Sequence, residues 1–125
     1  MKNRILLCFT GIILFSECQP DTYRQGRVLY EVHCENCHME DGKGLFDLIP
    51  SLVESDYITK DPLSAVCLIR KGLPKNRETS QQMPGNAVLN DVEITNLINY
   101  LRGLSGERSE AIKVIDVRKE LGQCP

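Results

Sequence analysis

Residues 34–38 read Cys-Glu-Asn-Cys-His, and this pentapeptide constrains the fold of the chain more than any other feature. Two cysteines that are separated by two residues and followed at once by histidine form the attachment motif of a c-type haem. The spacing lets the thiols of Cys34 and Cys37 each add to one vinyl group at one edge of a porphyrin. His38 then lies beneath the iron and can bind it through a ring nitrogen. Many apolar residues of such a chain must pack against the cofactor as well as against one another.

The residues alone leave two other uses of this cysteine pair open. A zinc site usually has a second cysteine or histidine pair at similar spacing, whereas the remaining cysteines, at positions 8, 18, 67 and 124, are single and scattered. A thioredoxin-like redox motif lies in a βαβ context, and no strand pattern surrounds residues 34–37. Both alternatives are therefore weaker than the haem interpretation.

Length and charge restrict the class of protein further. A chain of 125 residues predicts one domain. The formal net charge of −2 disfavours a nucleic-acid partner, and the haem propionates would add further negative charge. Beyond the N-terminus, no segment is long and apolar enough to span a bilayer.

The first 17 residues have the pattern of an export signal. Lys2 and Arg4 form a basic start, and residues 5–15 form an apolar stretch that is too short to cross a membrane. The cleavage region then reads Phe-Ser-Glu-Cys, which loosely resembles that of a bacterial lipoprotein, although Glu17 stands where a small residue is usual. We predict that the signal is removed and that Cys18 is lipidated, with simple secretion as the alternative.

Three segments follow from this prediction: a removed signal at 1–17, a tether at 18–22 and a haem domain with a C-terminal tail at 23–125. The domain would be exported to the periplasmic side or the cell envelope, and the lipid at Cys18 would hold it to the membrane. Covalent haem attachment and disulfides are both feasible in that compartment.

Hydrophobic periodicity and capping residues predict an all-α fold of short helices and long loops. We predict helices over residues 22–33, from Pro62 to a stop at Gly72 and from 90 or 91 onward, one helical turn within 53–60 and a last turn or two over 116–121. Asp61-Pro62 and a capping box of Asn90 with Glu93 mark two of the helix starts. Residues 73–90 are predicted to form a polar loop, residues 103–108 a linker, and Ile112 and Val114 a short extended piece.

A haem bound by His38 has a second axial position on its other face. The residues leave several candidates open: Met39, Met83, His33, a lysine, water or no ligand. Met39 and His33 lie too close to the attachment motif to reach across the ring. Met83 stands in a loop before Pro84, which restricts it to extended conformations and favours a side chain held toward a ligand. We predict Met83 as the second ligand, and a methionine that fills a gap in the core is the alternative.

At this point the chain resembles the class I cytochromes c, from about residue 23 to residue 102. The attachment motif and Met83-Pro84 carry the resemblance, together with Gly26 and Tyr30 before the motif and the pair Leu97 and Tyr100 near the C-terminus. The resemblance implies a cytochrome c fold in which the N- and C-terminal helices cross at Gly26. It also implies that the carbonyl group of Pro50 accepts a hydrogen bond from the axial histidine.

The chain is also similar to a narrower group of monohaem bacterial lipoprotein cytochromes. Those proteins have a cysteine in the middle helix near an Ile-Arg-x-Gly-Leu run, and a second cysteine closes the chain. Here the run is residues 69–73, and the cysteines are Cys67 and Cys124. The resemblance implies a Cys67–Cys124 disulfide, with two unpaired thiols as the alternative.

These expectations together describe a one-electron carrier with one covalent haem c, between a respiratory donor or dehydrogenase and a terminal oxidase or reductase. An iron with both axial positions filled has no open site for oxygen, so we expect neither enzymatic activity nor a small-molecule substrate. The alternatives are a haem enzyme or gas-binding protein with a displaceable Met83, and a dedicated subunit of one dehydrogenase complex. Lys71, Lys75 and Arg77 either steer an acidic redox partner or form an ordinary solvated loop.

Overall fold

The computed structural model describes residues 23–75 and 82–125, and the chain in those ranges is mainly helical with one small sheet. The elements in chain order are α1 (Arg24–His33), α2 (Glu35–His38), α3 (Asp56–Thr59), α4 (Ser64–Lys71), β1 (Gly72–Leu73), β2 (Met83–Pro84), α5 (Asp91–Leu104) and α6 (Val114–Leu121). The predicted signal, Cys18, the tether and Arg77 lie outside the described residues. Within the described ranges, none of the helices has the length and apolar character needed to cross a bilayer.

Helices α1 and α5 cross in close contact at Gly26. A Cβ atom at this position would lie 2.1 Å from the carbonyl oxygen of Asn96 and 2.5 Å from the Cβ atom of Tyr100. One turn further along α1, the rings of Tyr30 and Tyr100 pack with centroids 5.5 Å apart. The crossing implied by the cytochrome resemblance is therefore confirmed, because only glycine lets the two backbones approach this far.

Helix α5 supplies the centre of the hydrophobic core. Its start is the predicted capping box, in which the Asn90 side chain accepts from the Glu93 amide and the Glu93 carboxylate accepts from the Asn90 amide. The apolar stripe along its inner face is fully buried: Ile94, Leu97, Ile98 and Leu101. The helix continues through Leu104, so the predicted linker start at residue 103 was wrong by two residues.

Helix α4 begins at Ser64, two residues later than the predicted first helical residue, Pro62. The Asp61 carboxylate accepts a hydrogen bond from the Ser64 hydroxyl, and it caps no amide of the helix. Residues 61–63 therefore form a turn before the helix. The predicted end is correct, because Gly72 has a positive φ of 75° that other residues adopt with strain.

Helix α6 begins at Val114, so the prediction of an extended Val114 was wrong. The residue before it, Lys113, is extended and serves as the N-cap. Nearby, the buried Asn99 side chain both donates to and accepts from the backbone of Ile112, with distances of 3.1 Å and 3.0 Å. This contact holds residue 112 against α5, after which α6 packs on both α4 and α5 through the buried Val117.

Three of the four residues of the small sheet lie inside the segment 73–90 that we predicted to be a polar loop, and Gly72 lies directly before it. Strands β1 and β2 pair in antiparallel orientation, with Gly72 opposite Pro84 and Leu73 opposite Met83. Two-residue strands leave no alternating pattern of polar and apolar residues in the sequence, so this pairing could not be read from it. Its consequence is that Met83 is attached to the end of α4.

Candidate haem site

The attachment motif forms a helical turn that continues α1. The amide of Cys34 bonds to the Tyr30 carbonyl, and the amides of Cys37 and His38 bond to the Cys34 carbonyl at 3.1 Å and 2.9 Å. This turn places all three functional side chains of the motif at the wall of one cavity. Neither Cys34 nor Cys37 forms a disulfide, so both thiols are available for covalent attachment.

The environments of the two thiols differ. Cys34 is partly buried, whereas Cys37 is exposed. Burial, reinforced by the nearby Cys37 thiol, raises the pKa of the Cys34 thiol to about 11. Cys34 is therefore neutral at physiological pH before the haem is attached, and it behaves as an apolar wall of the cavity.

His38 is held in the orientation that a metal ligand needs. The residue is only 8% exposed, and its Nδ1 atom lies 3.3 Å from the Pro50 carbonyl oxygen. A carbonyl can only accept, so Nδ1 carries the proton and Nε2 keeps its lone pair for a metal. Burial lowers the pKa of His38, and the hydrogen bond to Pro50 partly opposes this effect. The imidazole is therefore neutral, as ligation requires.

The loop that brings Pro50 to His38 depends on Gly44. Gly44 has a positive φ of 72°, and its amide bonds to the His38 carbonyl at 3.0 Å. A Cβ atom here would lie 2.1 Å from the Ile49 carbonyl oxygen and 2.7 Å from that of Pro50. Gly44 therefore makes room for the Pro50 peptide.

A cavity of about 660 Å³ lies between the attachment motif and strand β2. Cys34, Cys37 and His38 line it at the motif, and Met83 lines it from β2. Most of the remaining wall is apolar and comes from the loop after Leu48, from α3, α4 and α5, and from residues 73–74. This volume is within the usual range for ligand sites in proteins.

The residues present fit a haem. Two free thiols at the correct spacing, a buried neutral imidazole and a thioether all border one apolar space, which is the donor set that a covalent haem requires. Of the other candidate ligands, His33 also lines the cavity, from the end of α1. Lys75 lines it as well, and Lys71 is exposed nearby on the last turn of α4.

Cys67 and Cys124 are joined by a disulfide with an S–S distance of 2.07 Å and a Cα–Cα distance of 5.4 Å. The bond connects the middle of α4 to the residues that follow α6. It therefore fixes the C-terminal tail on the side of α4, the helix that also leads into β1 and its pairing with β2.

Comparison with known proteins agrees with this site. A search of curated proteins found no match to the chain. The family model described as "Cytochrome C oxidase, cbb3-type, subunit III" matches residues 21–101, a range that contains both the attachment motif and Met83. Because this match covers more than half of the chain, the protein belongs to that family, and it is a c-type cytochrome with haem c as its cofactor.

Proposed function

We propose that the protein is a one-electron carrier in which Cys34 and Cys37 hold one haem c and His38 and Met83 bind its iron. The observation that carries the proposal is that Met83 and the three motif residues line one apolar cavity, although a long stretch of chain separates them. The bound haem c would supply a one-electron couple between ferric and ferrous iron.

The residues around the cavity support electron transfer rather than catalysis. The Met83 thioether is a soft ligand that favours ferrous iron and so raises the reduction potential. The Pro50 carbonyl holds the His38 ring in place, and the wall of the cavity is mostly apolar. With His38 and Met83 both bound to it, the iron would have no open site for oxygen or a substrate.

Visible and near-infrared spectra of the holoprotein test this proposal. We expect a c-type α-band in the alkaline pyridine adduct and a sulfur-to-iron charge-transfer band in the ferric protein. Met83→Ala should abolish the charge-transfer band, whereas the matched control Met39→Ala should retain it. Retention of the band in Met83→Ala would refute methionine ligation at residue 83.

Carbon monoxide separates the carrier from a gas-binding or catalytic haem protein. With Met83 bound, the reduced wild-type protein should bind carbon monoxide slowly and incompletely at neutral pH. Met83→Ala should bind it rapidly. Fast, complete binding by the wild type would favour the alternative function.

The family name supports a terminal oxidase as the electron acceptor. The matched family is described as an oxidase subunit, so we propose that this chain transfers electrons to an oxidase, either as a free carrier or as a fixed subunit. Extraction in mild detergent followed by size-exclusion chromatography distinguishes the two. Elution with oxidase activity indicates a fixed subunit, and elution of the cytochrome alone indicates a free carrier.

We further propose that the protein is exported and anchored through a lipid at Cys18. The intact mass of the mature protein tests cleavage after residue 17, acylation and haem attachment in one measurement. Cys18→Ala should release the cytochrome from membranes into the soluble fraction. Cys8→Ala, which changes a cysteine within the predicted signal, should leave it on the membrane.

A further inference from the structure

The side chain of Arg70, on the last turn of α4, binds the segment that follows Met83-Pro84. Its Nη1 atom donates to the carbonyl oxygens of Ala87 at 2.7 Å and Asn86 at 3.3 Å, and its Nη2 atom donates to that of Leu89 at 2.5 Å. One guanidinium group thus satisfies three carbonyls of a segment that has neither helix nor strand to satisfy them.

Asn86 connects the same segment to α4 and also bonds to other residues within the segment. Its amide donates to the Ile69 carbonyl at 2.8 Å, and its side-chain oxygen accepts from the amides of Val88 and Leu89 at 3.2 Å each. The polypeptide from residue 86 to residue 89 is therefore folded around the end of α4, with Arg70 as the side chain that reaches across it.

Met83 is the first residue of β2 and stands directly before this contact in the chain. β2 pairs with β1, which directly follows α4. After β2, Gly85 packs so closely on α4 that a Cβ atom there would lie 2.6 Å from the Lys71 backbone. The position of Met83 relative to the cavity is thus set by attachments to the end of α4, and Arg70 provides the largest side-chain contribution among the contacts described.

We propose that Arg70 is a positioning residue that keeps the Met83 thioether on the iron. The inference rests on the proposed ligation by Met83. An arginine suits this task because its planar fork presents several donors in fixed directions, whereas lysine offers a compact charge on a flexible stem. Without the three hydrogen bonds, the segment after Met83 becomes free to move, and the thioether dissociates more readily.

The test compares Arg70→Gln, Arg70→Lys and the control Arg108→Gln in the full haem-loaded protein. Arg108 is an exposed arginine that does not line the cavity, so its variant removes the same charge away from the site. Two readouts report on Met83: the pH at which the ferric charge-transfer band is lost on alkaline titration, and the rate of carbon monoxide binding to the reduced protein.

We expect Arg70→Gln to lose the band about one pH unit lower than the wild type and to bind carbon monoxide about tenfold faster, because hydrogen bonds from a charged donor are lost. Arg70→Lys should have values between those of Arg70→Gln and the wild type, and Arg108→Gln should match the wild type. Equal values for Arg70→Gln and Arg108→Gln would overturn the inference. If Arg70→Gln retains no haem, the test depends on Arg70→Lys. An alkaline titration of Arg70→Lys that equals that of the wild type would also overturn the inference.

This design separates failure of the inference from failure of the proposed function. If the wild type has no charge-transfer band, ligation by Met83 is refuted, and the role of Arg70 is refuted with it. If the wild type has the band and Arg70→Gln titrates identically, Met83 remains the ligand and only the positioning role fails.

Discussion

The Nδ1 atom of His38 lies 3.3 Å from the carbonyl oxygen of Pro50, and this contact fixes which ring nitrogen faces the cavity. The acceptor belongs to the backbone, so no change of the Pro50 side chain removes it. Its position depends instead on the close approach of the residue 49–50 peptide to Gly44. The contact can therefore be tested by adding one carbon atom at Gly44.

Gly44→Ala should displace the Pro50 carbonyl from His38. A less basic imidazole stabilises ferric iron less, so we expect the reduction potential to rise by on the order of 40 mV, equivalent to a hydrogen bond of about 1 kcal/mol. Protein-film voltammetry measures this shift.

Gly106→Ala is the control, because Gly106 also has a positive φ but no atom within 4 Å of an added Cβ. Both variants should lose stability, by about 1 kcal/mol in the control, and an unchanged potential in Gly44→Ala would contradict the expectation.

Gly26→Ala should separate α1 from α5. The added Cβ would meet backbone at 2.1 Å, so the helices must move apart, and we expect a loss of about 3 kcal/mol in the free energy of unfolding. The control Gly103→Ala also lies within a helix, but its Cβ would meet only the Tyr23 ring, at 3.2 Å. Denaturant unfolding of both variants should show the control within about 1 kcal/mol of the wild type.

Loss of the Cys67–Cys124 disulfide should destabilise the domain while leaving the haem attached. The bond spans a sequence separation of 57 residues, for which the chain-entropy model predicts about 4 kcal/mol. The measurement is denaturant unfolding of the double variant Cys67→Ala/Cys124→Ala and of the wild type, each with and without reductant. Reductant should destabilise only the wild type. A wild type that does not respond would argue for two unpaired thiols in the purified protein.

The ion pair between α6 and the start of α5 should make stability depend on pH in the acid range. Arg118 Nε donates to Asp91 Oδ2 at 2.6 Å, and this hydrogen bond lowers the pKa of the Asp91 carboxyl below its ordinary value of 3.8. Because the pKa is lower in the folded state, the ionised Asp91 carboxylate contributes fully to stability above pH 3.8. This contribution disappears as the pH falls through the pKa that Asp91 has in the folded protein. Arg118→Gln should therefore be less stable than the wild type at neutral pH, and the difference should vanish in strong acid.

The control for this pair is Arg108→Gln, which removes the same charge from an exposed residue. Its stability relative to the wild type should not follow the same pH profile. A difference between Arg118→Gln and the wild type that stays constant down to strong acid would show that Arg118 acts through packing and not through the Asp91 carboxylate.

Local patterns in the sequence were enough to predict the chemistry of the site and the longest helix. The cofactor follows from the spacing of Cys34, Cys37 and His38 alone, because covalent attachment requires those groups at that spacing. Helix α5 follows from a capping box and an apolar stripe, both of which act within a few residues. The predictions for α4 and α6 missed their first residues, because the Asp61 and Ser64 side chains bond to each other and Asn99 holds residue 112 from a distance.

The tertiary structure decided how distant segments meet. Three contacts join groups that no sequence period relates: the pairing of Leu73 with Met83, the approach of the Pro50 carbonyl to His38, and the hydrogen bonds from Arg70 to the carbonyls of residues 86, 87 and 89. Close backbone approaches at glycines accompany these contacts: Gly44 lies against the carbonyls of Ile49 and Pro50, and Gly72 lies against that of Met83. A sequence pattern reports which side chains are suited to bind a haem, whereas only the folded chain determines what holds them in position.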